Sequence, residues 1–167
     1  WKNGVKADPM ARIDLDSAMI FLDDNFDRVT TVSWNSNLKT NFASHSGDIT
    51  NANPNASEFV DVDIKKAQEE NIRYLLMGVN SYTGQSFNTM LNVSAGVMLS
   101  NKKIRNRFSS QNVATNFVLN ANSNSVFPFI VDFKTRELIW LNLPTMNYHS
   151  AGSLIHSEDV NMLEVLF

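Results

Sequence analysis

Apolar residues recur along this chain at every second position, in short runs separated by polar turns. "RIDLDSAMIFLDD" opens with strict alternation, Ile13 and Leu15 on one face and Asp14 and Asp16 on the other. A period of two is the signature of a strand, because successive side chains leave opposite faces of a pleated backbone. "DRVTTVSW" follows the turn "DDNFD" and predicts the second arm of a hairpin. "EFVDVDI", from Glu58 to Ile64, alternates again. "IRYLLMGVNSY", "NVSAGVMLS", "ATNFVLNA", "SVFPFIVDF" and "ELIWLNL" complete the apolar runs, and "KTR" joins the last two as a further hairpin. "KKAQEEN" is the one helical stretch, with lysine and glutamate three to four positions apart. Pro128 has no N–H to give a ladder, so its strand is expected to carry an edge or a bulge there.

Together these runs predict an all-β chain, a β-sandwich of about eight mostly antiparallel strands with one short helix. A doubly wound α/β fold would need helical crossovers, and the intervals between runs carry no such pattern. At 167 residues the chain can bury one sizeable core. No uncharged apolar run reaches the roughly eighteen residues a spanning helix requires, so no transmembrane segment is expected. The chain begins at Trp1, not Met, so a preceding segment is expected. "LEVLF", Leu163 to Phe167, matches the left half of a protease site used in expression vectors. Residues 1–162 are therefore read as a single domain, part of a longer protein, and 163–167 as a vector remnant.

Composition narrows the chemistry. The absence of cysteine removes disulfides, zinc–thiolate sites and a cysteine nucleophile together, and fits a cytoplasmic protein. A net charge of −3 argues against nucleic acid, which asks for a basic footprint. The most basic stretch, "NKKIRNRF", reads as a solvated loop. No P-loop, dinucleotide fingerprint or H-E-x-x-H is present. His149 and His156 lie near Ser150, Ser153 and Asp159, but no G-x-S-x-G elbow accompanies them. The chain is accordingly expected to be no enzyme.

One stretch does raise a chemical question. "SHSGDITNANPNASEFVDVDI" sets a long run of oxygen-bearing side chains directly against an alternating strand. Asp14 and Asp16 leave one face of their strand, and Asp61 and Asp63 one face of another; like charges so placed repel unless solvent or a cation compensates them. Calcium takes six to eight oxygens from carboxylates, amides and carbonyls, and such a loop can supply them. A solvated connection accounts for the same residues, and no EF-hand spacing is present.

Taken in order, "ARIDLDSAMIFLD", "VSW", "HSGDIT…ASEFVDVDI" and "VNSYTGQSFNTM" resemble the TerD family, the tellurite-resistance and general stress domains of bacteria, from Trp1 to about Leu99. The resemblance implies a β-sandwich that binds calcium through acidic loops, in cytoplasmic proteins linked to tellurite, oxidative stress and phage resistance. It places Asp14 and Asp16 on the family's D-L-D, Gly47 and Asp48 on its G-D, Glu58 at the end of its acidic run and Asp63 on its V-D-L. The implied metal ligands are thus Asp14, Asp16, Asp48, Glu58 and Asp63. Ala56 and Ser57 stand where the family has two aspartates. Because calcium affinity follows ligand charge and rigidity, one weakened site or none is expected. The alternative is a metal-free protein-interaction or scaffold module on the same sandwich. Protein partners are expected on either reading.

Overall fold

The computed structural model describes residues 13–50, 56–100 and 110–145. The sequence readings at Trp1, Asn51, Asn53, Asn55, the basic stretch 101–108, His149, His156 and 163–167 lie outside these residues. The predicted first hairpin is formed by β1 (Leu15–Leu22) and β2 (Arg28–Ser33), with Ala18 opposite Ser33 and Phe21 opposite Thr30. Its turn is closed by Asp23, whose carboxylate accepts the N–H groups of Asn25 at 2.8 Å and Asp27 at 3.0 Å. β5 (Tyr74–Ser81), β8 (Ser125–Asp132) and β9 (Glu137–Pro144) join this hairpin in an antiparallel sheet of order β2-β1-β5-β8-β9.

Two smaller antiparallel pairs cover one face of that sheet. One is β3 (Ala43–His45) with β4 (Val60–Val62), the other β6 (Ser94–Met98) with β7 (Val113–Val118). Phe42 meets Phe21 edge to face with ring centroids 5.0 Å apart, which seats the first pair over the β1–β2 side. Phe117 stacks on Trp140 at 4.3 Å, which seats the second over β9. The helix α1 (Ile64–Glu69) leads from β4 into β5. No helix among the described residues is long and apolar enough to cross a membrane.

The all-β reading and the single short helix hold, and every apolar run picked out in the sequence forms a strand. β3 is an addition. Three residues are too few to show a period, and they fall in a stretch whose polarity reads as loop. Pro128 sits in a bulge inside the sheet: the β8–β9 register shifts between Phe127 and Phe129, although β8 lies between β5 and β9. The shift sends Phe127 into one apolar cluster and Phe129 into the other. The larger cluster, with Leu15, Met19, Phe21, Leu75 and Phe129, fills the space between the layers. The smaller, Ile20, Leu22, Leu76, Phe127 and Ile130, lies on the opposite face of the same strands. β1 is therefore covered on both sides, and its alternation does not divide core from water.

Gly96 marks where the second pair is tightest. A Cβ there would lie 2.3 Å from the Thr115 carbonyl oxygen and 2.8 Å from the Asn116 Cα, both main-chain atoms that cannot swing aside. Gly96→Ala is expected to force β6 from β7 and to cost about 1–3 kcal/mol, the range for inserting an atom where the neighbours cannot give way, although the position itself is exposed. Urea denaturation against the parent protein measures this, and an unchanged midpoint refutes the packing argument.

Candidate cation site

The acidic residues of the "RIDLD" segment sit where the first strand begins. Asp14 precedes β1 and Asp16 lies within it, so their two-residue spacing carries both side chains to the same side. The backbone of Asp14 is fixed by the turn after β5: its carbonyl accepts the Tyr82 N–H at 2.9 Å, and its own N–H donates to the Thr83 hydroxyl at 3.3 Å. Both aspartates are buried, at 3 % and 4 % exposure.

The third carboxylate arrives from the loop after β3. Gly47 has φ of 97°, a left-handed value that a residue with a Cβ resists, and the chain turns there to present Asp48. One ligand atom from each of Asp14, Asp16 and Asp48 then falls within 4.8 Å of the others. Asp48 itself is exposed, so the group opens to solvent on that side.

The remaining two residues of the implied ligand set have other work. Asp63 caps α1, its carboxylate accepting the Lys66 N–H at 3.3 Å, and it does not join the three converging aspartates. Glu58 stands beside them but is spent on the backbone. Its Oε2 accepts both the N–H and the hydroxyl of Ser17, each at 3.0 Å, and its Oε1 accepts the Ile49 N–H at 3.0 Å. It thereby straps the loop that carries Asp48 onto β1. The geometric reason is reach: Glu58 enters the site from the other end of the same loop, and the donors of Ser17 and Ile49 meet its oxygens before the cluster does.

His45 completes the strap. Its Nδ1 accepts the Gly47 N–H at 3.0 Å, so in the neutral ring the proton resides on Nε2. That nitrogen lies 3.1 Å from the Ser17 hydroxyl and 3.3 Å from the Ser17 carbonyl. Burial keeps the imidazole neutral by lowering its pKa, against the opposing pull of the Ser17 carbonyl and the Asp48 charge. Ser17 thus receives a hydrogen bond from His45 and passes one to Glu58. A Ser–His–Glu trio has formed, but with its base nitrogen turned to Gly47 it cannot take a proton from Ser17, and it works as a brace.

Electrostatics decides what the aspartates can do. Burial, followed by the charges of Glu58, Asp14 and Asp48, raises the pKa of Asp16 from 3.8 to about 7, with the Trp34 indole pulling weakly the other way. Among the described residues, the charges acting on Asp16 are carboxylates. Burial likewise raises Glu58, opposed by its hydrogen bonds to Ile49 and Ser17. Three carboxylate oxygens suit a hard, oxygen-seeking cation, and this donor set could hold one. Thr83 and Ser17 escaped the sequence reading as site residues; the polar "YTGQSF" turn was the available signal for Thr83, while Trp34, carried in "VSW", is half-buried.

The folded protein holds the Asp16 proton up to pH near 7, whereas the unfolded chain releases it near 3.8. The unfolded state binds fewer protons across that window, so stability is fully present below it and is lost as pH rises towards 7, by at most about 4 kcal/mol. His45, lowered on folding, acts in the opposite sense below about pH 6.5, and Glu58 in the same sense as Asp16. Asp16→Asn is therefore expected to reduce the fall between pH 4 and 7.5 in metal-free buffer. Denaturation midpoints across that range test it, and parallel curves for the two proteins exclude the shift.

No protein-family model matches the chain, and no curated protein is similar to it. Among solved structures, the crystal structure of SAV2460, a protein of unknown function, superposes with a TM-score of 0.56 at 12 % identity, over 84 % of this chain and 81 % of that one. The likeness is one of fold.

Proposed function

We propose that this is a non-enzymatic, calcium-binding domain of TerD type, acting in a cytoplasmic bacterial stress, tellurite-resistance or phage-defence protein through protein partners. The observation that carries the reading is the convergence of Asp14, Asp16 and Asp48 within 4.8 Å, two of them buried. Asp14 and Asp16 would hold the ion from the strand, and Asp48 would close on it from the loop. The ion would neutralise charge that otherwise forces a proton onto Asp16. Glu58 and His45 would keep the loop within reach of β1. With three carboxylates and no fourth in the cluster among the described residues, one modest site is expected. The buried, tautomer-fixed His45 supports the absence of catalysis.

A second reading has its own observation. A group whose pKa lies near 7 carries a proton in a large share of molecules at neutral pH, so protonated Asp16 could relieve the cluster without metal, leaving a metal-free interaction module on the same fold. Calorimetric titration separates the two. At pH 7.5, calcium at about one hundred times its Kd is expected to add roughly 2.7 kcal/mol of stability. Asp48→Ala, at an exposed loop position, is expected to keep the fold and lose the heat. Absence of both heat and thermal shift in the parent protein at millimolar calcium rejects the cation reading and leaves the metal-free one.

A further inference from the structure

Among the described residues, the covering layer of the sandwich has one strand fewer than the sheet beneath it. Five strands run β2-β1-β5-β8-β9 beneath it, and four lie above. β3 sits towards β1 and β2, through Phe42 on Phe21, and β7 over β9, through Phe117 on Trp140. The layer therefore reads β3-β4, an interval, then β6-β7. A cleft of about 840 Å³ occupies the interval. Its walls are two continuous runs, Ala56 to Val62 through β4 and Val93 to Ser100 through β6, with Val113 and Asn116 of β7 behind the second and no residue of β3. Its floor is apolar, with Leu75, Met77, Val79, Phe129 and Val131 of the large sheet.

The hydrogen-bond parity of the two pairs shows what the walls offer. In an antiparallel ladder, residues alternate between facing the partner strand and facing away. Ser46 N–H bonds to the Phe59 carbonyl at 2.9 Å and Asp63 N–H to the Phe42 carbonyl at 2.7 Å, so in the β3–β4 register Asp61 faces β3 while Val60 and Val62 face outward. Leu119 N–H bonds to the Val93 carbonyl at 2.9 Å, so Ala95 and Val97 face β7 while Ser94 and Gly96 face outward. Among the described residues nothing pairs with the main chain of those four. Two open strand edges thus look into one apolar-floored slot, about two strand spacings of roughly 4.8 Å across if one strand fills it.

We propose that the slot between β4 and β6 receives an extended segment of a partner polypeptide by strand addition, completing a five-on-five sandwich. Main-chain bonds to Val60, Val62, Ser94 and Gly96 would hold it, and alternate apolar side chains would rest on the floor. Its charge follows from the walls. Asp61 lines the cleft beside Asp16 and Glu58, and among the described residues no lysine, arginine or histidine does, so the partner segment carries a lysine or arginine at the Asp61 end. Leu99, 72 % exposed at the end of the β6 wall, offers an apolar contact at the other margin. The inference needs no bound cation, because the charge it uses is that of Asp61, which lies outside the cluster of Asp14, Asp16 and Asp48.

Amide hydrogen exchange with a synthetic probe, the acetylated peptide Lys-Val-Thr-Val-Thr-Val-Thr, tests this. In the free protein the Val60, Val62, Ser94 and Gly96 amides are expected to exchange at least about tenfold faster than those of Asp61, Ala95 and Val97. Millimolar peptide is expected to slow those four by about tenfold or more. Replacing the peptide lysine by glutamate is expected to weaken binding several-fold, and Asp61→Lys to reverse that preference. Four amides already slow in the free protein overturn the proposal, by a second copy if the slowing depends on protein concentration and by the chain's own segments if it does not. Unchanged exchange with peptide, or a preference for the glutamate peptide by the parent protein, overturns it equally.

Discussion

One buried carboxylate holds the candidate site in shape. Glu58 accepts three hydrogen bonds, two from Ser17 on β1 and one from Ile49 in the loop after β3. Without that strap nothing would oblige Asp48 to stand near Asp14 and Asp16, since the three charges repel. Hydrogen bonds to a charged group are the strong ones, and an unmet buried partner costs more than a made bond returns. The loop position is thus fixed by satisfaction of backbone and hydroxyl donors, and the acidic cluster is a consequence of it.

That division separates two roles which sequence treats alike. Glu58 and Asp63 carry the same functional group as Asp14, Asp16 and Asp48, but the first braces a loop and the second caps a helix. Their backbone surroundings make the difference. Asp63 lies at the start of α1, where orphan N–H groups await an acceptor. The aspartates at 14 and 16 instead lie at the start of a strand covered on both faces, where burial and mutual repulsion leave Asp16 holding its proton.

The sandwich itself is uneven. The large sheet has apolar matter on both faces, and the smaller layer is split into two pairs that meet across a gap. The far end of the sheet is closed by Arg73, which reaches Asp132 at 3.1 Å and Asp24 at 3.0 Å and lies over the Tyr74 ring at 4.7 Å. Among the described residues, the end beside Asp16 and Glu58 has no such cation in its cleft. Carboxylates and the outward edges of β4 and β6 thus gather, among the described residues, in one region.

Much of this was legible in the sequence. Alternation in "RIDLDSAMIFL", "EFVDVDI" and the later runs determined the strands, and the i, i+2 spacing put Asp14 and Asp16 on one side, because a pleated backbone allows nothing else. The loss of a ladder donor at Pro128 called for an edge or a bulge, and the sheet order decided for the bulge. Tertiary structure alone decided that the outward-looking face of β1 is buried, that His45 turns its base nitrogen to Gly47, and that Glu58 reaches Ser17 forty-one positions away. It also decided that β4 and β6 stop short of each other. Those outcomes depend on contacts between segments remote in sequence, and local periodicity carries no information about which distant donor a carboxylate will meet.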